Sequence, residues 1–335
     1  MMGMNRRNFS MIAAAGLAAP FLVLRAPPAW TQEQSIEEAA RSFDRLRSLI
    51  VQHGEEVLFS EALSGPPLDR PANIKSCSKS IVSLLLGTAI DRGETPGVDA
   101  RLAAVAPTII PSDATPGVED ITLEDLVTMR AGLAATSGPE YGAWISSDDW
   151  IGYALRRPMD GRPGGRMIYS TGSTHVLGAA LTVATGEDLL TLARARLGAP
   201  LDIEIPPWTR DPKGFYLGGN EMALSPQAML KIAILMRDGG GFEGEQIIPK
   251  SWVDASTQAR TRSPWSGMDY GYGWFLTETG FIVARGYGGQ IIAANPSRKL
   301  AVALTSDPDR PARSAGYFGE LMRFLDGPIL QAVRG

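Results

Sequence analysis

Ser76, Lys79, Ser80 and Ser83 stand at i, i+3, i+4 and i+7 within residues 76–90, a spacing that puts them on one face of a helix. The rest of that stretch is apolar around most of a helix's circumference, which predicts burial. A lysine in such a place is costly unless it is paired or gives up its proton. Desolvation lowers a lysine's pKa, and lysines become bases by that route. A serine hydroxyl is a poor nucleophile until a base takes its proton. Ser76 and Lys79 are one helical turn apart and can meet. The N–H groups and positive dipole end at the helix start would favour the negative charge of a tetrahedral intermediate at Ser76. The chemistry this pattern could do is acyl transfer through a serine ester. On the helix alone a second reading stays open: Lys79 snorkels to solvent and the serines bond back to the helix carbonyls.

Other reactive residue types are sparse. Cys77 is the single cysteine, so no internal disulfide is possible, and the two histidines are His53 and His175. No His/Cys grouping has zinc-ligand spacing, and a Ser-His-Asp arrangement must use one of those two histidines or be absent. His53 precedes Gly54 in a turn and reads as solvated; His175, within a later helix, reads as structural. Cys77 points to a different helix face from Ser76 and reads as core. No glycine-rich loop has a nucleotide-binding context, so no cofactor is expected. The net charge of −4 and the lack of a Lys/Arg cluster argue against a nucleic-acid partner.

The elements that must position these groups are legible in outline. Residues 33–46 place Ile36, Ala39, Ala40, Phe43 and Leu46 near helical spacing. Residues 48–52 and 55–62 flank His53-Gly54 as a hairpin. Residues 77–92 form the apolar helix, stopped by Gly93. Residues 94–118 are rich in Pro, Gly and Asp and read as loop with short helical pieces. A helix over 121–129 has Thr122 as its N-cap. Residues 173–185 and 187–197 form two more helices parted by Gly186, and Ser225-Pro226 opens another that runs to about Arg237. Residues 270–277, 280–285, 290–295 and 300–305 read as successive strands, with 296–299 a hairpin loop and a last helix over 314–325. Strands at both ends with helices between predict an α/β (α+β) fold: an antiparallel sheet flanked by helices, built from both chain ends, with an inserted mostly helical domain. The expected division is a sheet domain over 30–105 plus 215–335 and a helical domain over 106–214, with a cleft at their junction.

Residues 1–29 read as an address. Arg6-Arg7 followed by Phe9, an Ala-rich apolar run to Leu24 and small residues at Ala26 and Ala29 form a twin-arginine-type signal peptide. The expected location is periplasmic or secreted. The apolar run is short for a membrane span, and no stable span is expected once the leader is removed.

Several segments together resemble one family. Ile74-Lys75-Ser76-Cys77-Ser78-Lys79-Ser80 contains Ser-x-x-Lys, the first signature of serine β-lactamases and penicillin-binding proteins. Ile121-Thr122-Leu123 through Gly132-Leu133, Tyr169-Ser170-Thr171, Gly218-Gly219-Asn220 through Ser225-Pro226, Tyr270-Gly271-Tyr272-Gly273-Trp274 and Gly286-Tyr287-Gly288-Gly289-Gln290 follow in the family's order and spacing. The chain resembles the class C-like part of that superfamily, especially its esterases and 6-aminohexanoate-dimer hydrolases, over residues 45–325. The resemblance implies a β-lactamase/transpeptidase-like fold and a serine hydrolase acting on a small-molecule ester or amide. Ser76 would be the nucleophile, Lys79 its proton partner, and Tyr169 the residue that passes the proton to the leaving group. The backbone N–H groups of Ser76 and Gln290 would form the oxyanion hole. Thr171, Tyr287, Gly288 and Gly289 would border the substrate, the glycines because close approach to backbone leaves no room for a side chain. On its own Tyr169 would read as a core tyrosine and 286–289 as an ordinary turn.

Two departures bear on substrate. Thr171 stands where many members have Asn, which weakens a hydrogen bond to a substrate amide. Tyr287 stands where β-lactamases have Lys and many esterases have His, which removes a partner for a substrate carboxylate. Arg285 would share Tyr287's side of the strand only if the glycines keep the register. The expectation is an esterase-type enzyme with poor β-lactam turnover. A linear-amide or D-amino-acid peptide hydrolase is the first alternative, and a non-catalytic penicillin-recognising protein the second.

Overall fold

The computed structural model describes residues 35–333, so the leader expected over residues 1–29 lies outside them. Eight strands form the main sheet: β1 (Leu46–His53), β2 (Glu56–Ala62), β3 (Thr261–Arg262), β4 (Asp269–Tyr270), β5 (Phe275–Leu276), β6 (Ile282–Gly286), β7 (Gln290–Asn295) and β8 (Leu300–Ser306). Their spatial order is β2-β1-β8-β7-β6-β5-β4-β3, antiparallel throughout. The two ends of the chain join where β1 pairs with β8, Ile50 opposite Ala303. The expected antiparallel sheet built from both termini is the one observed.

The inner strands are buried on both faces. Ala284, Ile292, Ala294, Ala301 and Ala303 share one core with α2 (Ser78–Asp91) and α4 (Pro226–Arg237). Val283, Ile291, Ala293, Val302 and Leu304 share the other with α1 (Ile36–Arg41) and α5 (Tyr317–Phe324). Adjacent residues alternate between the two cores, as the strand period of two requires. Alanines on the α4 side let that helix sit close over β7 and β8. Between α2 and α4 lie helices and loops, among them α3 (Thr171–Thr185), buried from Thr171 to Leu181. Among the described residues no single helix is long and apolar enough to cross a membrane.

Local signals set several boundaries. Thr122 accepts the Asp125 N–H while the Asp125 carboxylate accepts the Thr122 N–H, a reciprocal cap. Ser225 accepts the Ala228 N–H and Pro226 occupies the first turn of α4. Three expectations shift. The first helix ends at Arg41 rather than near 46, because the Ser42 hydroxyl donates to Ala39 O at 2.6 Å and competes for a helix carbonyl. Residues 270–277 are two strands, not one: a turn at Gly271–Trp274 folds Phe275 back opposite Tyr270. The last helix begins at Tyr317, since Gly316 has a non-helical backbone.

Candidate active site

Ser76 lies in a turn of 3-10 helix, Lys75–Cys77, that leads into α2. The residue before it is strained: Lys75 has φ 51, in the left-handed region. Asn73 Oδ1 holds that conformation by accepting the Lys75 N–H at 2.8 Å. Glu221, itself at φ 68, pairs with Lys75 Nζ at 3.3 Å and accepts from Asn73 Nδ2. Ser78 ties the same two segments, donating to Lys75 O and accepting the Met222 N–H. The Ser76 turn and the 219–222 segment are therefore one braced unit, with Ser76 partly accessible at its surface.

Lys79 is buried, and its Nζ is 3.0 Å from Ser76 Oγ, 2.6 Å from Gly219 O and 3.3 Å from Thr171 Oγ1. None of these three neighbours carries a charge. Burial without a counter-ion pulls the amine from 10.5 down to about 7. A neutral amine has two N–H groups and one lone pair. The Gly219 carbonyl can only accept, so it takes one hydrogen. Thr171 Oγ1 takes the other and passes its own to Ser137 Oγ, 3.0 Å away. The lone pair is then left for the Ser76 hydroxyl.

Tyr169 comes to the same place. Its ring centroid is 5.0 Å from Lys79 Nζ, and its hydroxyl faces Ser76. Desolvation pushes the phenol up to about 12, with Ser76 partly offsetting the rise. The rings of Phe275 and Trp265 pack against it, at 6.5 and 6.3 Å between centroids. Trp144, Trp150 and Trp274 are buried, whereas Trp265 is 62% exposed beside Tyr169. Cys77 is core, its Sγ against Gln290 O at 3.5 Å, and burial raises its thiol pKa.

Strand β6 closes the other side. A Cβ on Gly286 would lie 2.3 Å from Ile74 O, so the missing side chain lets the strand come up against the Ser76 turn. Gln290 pairs with Gly286 across the hairpin, one strand further in, and its side chain clamps the Ser306 backbone. Tyr287, at the hairpin tip, is 51% exposed. The space beside Gly288 and Gly289 is filled by Asp307 O and by the Tyr317 ring. Their lack of side chains therefore serves packing of the turn rather than room for a ligand. Arg285 does not join Tyr287: it lays its guanidinium 3.5 Å from the Phe318 ring centroid and donates to Ser314 Oγ.

A model of the Beta-lactamase family matches residues 47–323. The chain belongs to the beta-lactamase family. Its Ser-x-x-Lys turn, its Tyr169 and its β6 edge meet at one point of the beta-lactamase fold. The chain is 25% identical over 327 residues to the 6-aminohexanoate-dimer hydrolase of Paenarthrobacter ureafaciens, covering 88% of this chain and 81% of that one. Among solved structures it is similar to EstCE1, a hydrolase with promiscuous acyltransferase activity (TM-score 0.71, 17% identity, 90% of this chain and 97% of that one). It is also similar to the octameric penicillin-binding protein homologue from Pyrococcus abyssi (TM-score 0.67, 15% identity, 88% and 76%). These structures share the beta-lactamase fold with it.

Ser137 has no signal in the sequence, and Gly219 stands there only within a family segment, without a role of its own. Neither type signals chemistry, and each acts through contacts to residues far away in the chain. The Gly218-Gly219 pair was the available signal. Thr171 is the opposite case: expected beside the substrate, it is buried and bonded to Lys79 and Ser137. Among the described residues no group of three His, Cys, Asp or Glu side chains could hold a metal ion.

Proposed function

We propose that this beta-lactamase-family protein is a serine hydrolase that forms an acyl-enzyme on Ser76. The observation that carries the reading is the 3.0 Å approach of a buried, charge-unpaired Lys79 amine to the Ser76 hydroxyl. Lys79 takes the Ser76 proton as the oxygen attacks a carbonyl carbon. Tyr169 relays that proton to the leaving group, and water then releases the acid. Two environments push two pKa values apart, which assigns the roles. At neutral pH the amine near 7 offers a free base, while the phenol near 12 stays protonated and can donate. The Ser76 N–H is one oxyanion donor; the second is drawn from the 286–290 turn, where Gln290 was the residue expected for it.

Esters are the favoured substrates. Thr171 Oγ1 is occupied by Lys79 and Ser137, and so does not offer itself to a substrate amide. The relative named 6-aminohexanoate-dimer hydrolase supports linear amides as the second reading. Tyr287 and the diverted Arg285 leave a β-lactam carboxylate without the expected cation. A panel of p-nitrophenyl esters, linear amides, D-Ala peptides and benzylpenicillin tests this. Short esters are expected to be turned over fastest and penicillin at least about 100-fold more slowly in kcat/KM, the scale of one lost charged contact. Efficient penicillin turnover would overturn the assignment.

Lys79 must be neutral to accept a proton, so kcat/KM for a neutral ester is expected to rise with pH through about 7 and then level off. A rate independent of pH between 5.5 and 8.5 would contradict the base role. Export by the twin-arginine leader, with periplasmic or secreted location, remains our proposal from residues 1–29.

A further inference from the structure

His175 is wholly buried on α3, one turn after Thr171, with its ring against Trp144 and Trp150 at centroid distances of 5.9 and 5.8 Å. Its Nε2 is 3.0 Å from Oδ2 of Asp211, which is also buried. The Gly218 backbone N–H points at its Nδ1 from 3.4 Å. A backbone N–H can only donate, so Nδ1 carries no hydrogen and Nε2 donates to Asp211. The other Asp211 oxygen, Oδ1, accepts the backbone N–H groups of Lys213 and Phe215. One carboxylate therefore grips the imidazole and shapes the loop that leads to Gly218.

That loop lies flat on α3. A Cβ on Gly218 would sit 2.4 Å from Thr174 O and 3.0 Å from His175 Cα, so no other residue fits without moving the backbone. The next residue supplies the carbonyl that accepts from Lys79 at 2.6 Å. Displace the Gly219 carbonyl and the amine is free to rotate its lone pair away from Ser76. A buried carboxylate needs donors, and Asp211 takes them from the imidazole and from two N–H groups of this loop.

We propose that His175 and Asp211 are positioning residues for Lys79, holding the Gly219 carbonyl through Gly218 so that the amine's lone pair points at Ser76. The inference rests on Lys79 being the base for Ser76. The titratable groups facing Lys79 are Tyr169 across the site and Cys77 on its own segment, both raised by burial, with the Arg285 charge acting on those two and the Lys75–Glu221 pair bracing the turn before it. His175 is faced by Asp211 and the two tryptophans. Burial pulls the Lys79 amine down to about 7, so its acid limb falls in the range the test covers.

The test uses the full chain with His175→Gln, Asp211→Asn and, as a packing control on the same helix, Leu181→Ala. Steady-state kinetics on a p-nitrophenyl ester are followed from pH 5.5 to 9.5, alongside thermal melting and fluorophosphonate labelling of the unmodified protein. Both dyad variants are expected to lose about 10-fold or more in kcat at pH 7 with KM changed by less than about 3-fold, a partial loss of general-base catalysis. Their acid limb should move to higher pH, because an amine released into a wetter site regains its proton affinity. Leu181→Ala should melt earlier with its acid limb unmoved. An unmoved limb in either folded dyad variant, or an equal shift in Leu181→Ala, would overturn the inference. Absence of Ser76 labelling in the unmodified protein would instead remove the reading on which it rests.

Discussion

Replacing Lys79 by methionine is expected to remove most ester hydrolysis and at the same time stabilise the protein. The catalytic loss should be about 10²- to 10⁴-fold in kcat/KM, the contribution of a positioned general base. The gain in stability follows from linkage. The amine titrates at 10.5 when unfolded and at about 7 when folded, so between these values the unfolded chain holds a proton that the folded chain has released. Stability from this group therefore rises with pH across that window. Below about pH 7 the folded protein carries the whole cost, on the order of 5 kcal/mol, and above 10.5 it carries none. Methionine removes the cost but orphans the Gly219 carbonyl, which takes back roughly 1–3 kcal/mol. The variant should be more stable by about 3 kcal/mol at pH 6, with the difference shrinking and then reversing toward pH 10. Chemical denaturation at pH 6 and pH 9.5 measures this. A variant destabilised equally at both pH values would show that Lys79 is an ordinary charged residue with solvent access.

Tyr169→Phe separates a proton relay from a packing role. A protonated phenol at about 12 suits donation to a leaving group and is poorly suited to be the resting base. Its value then depends on how badly the leaving group needs a proton. Nitrophenolate leaves unaided, so p-nitrophenyl esters should lose under about 10-fold in kcat. Alkoxides and amines do not leave unaided, so alkyl esters and linear amides should lose about 100-fold or more. The ring contacts with Phe275 and Trp265 survive the change, so melting should shift little. Equal losses for good and poor leaving groups would place Tyr169 outside proton transfer.

These expectations show what the sequence could and could not carry. The signals that proved legible are local. Ser225-Pro226 at the start of α4, the Thr122 cap, and the turn after His53 each involve atoms within four residues. The Ser-x-x-Lys pair is local too: one helical turn brings Nζ to Oγ. Tyr169 is different, since only its place in a longer pattern marked it out. Where contacts span the chain, residue type carries no signal of them. Gly271–Trp274 turns back because Ser80 and Ser83 on α2 donate to the carbonyls of Gly273 and Tyr272, nearly two hundred residues away. Gly288 and Gly289 looked open to a ligand, and only the fold shows Asp307 and Tyr317 in that space. His175 reads as structural from its place in an apolar helix; its proposed bearing on Lys79 passes through Asp211, Gly218 and Gly219.

The most direct measurement is peptide-level mass spectrometry of the protein quenched during turnover of a slowly deacylating p-nitrophenyl ester, at pH 6 and pH 8. The account predicts a single acyl adduct on Ser76, forming faster at pH 8 and absent from Ser76→Ala. An adduct on any other residue, or an unmodified Ser76 in a protein still turning over ester, would contradict it.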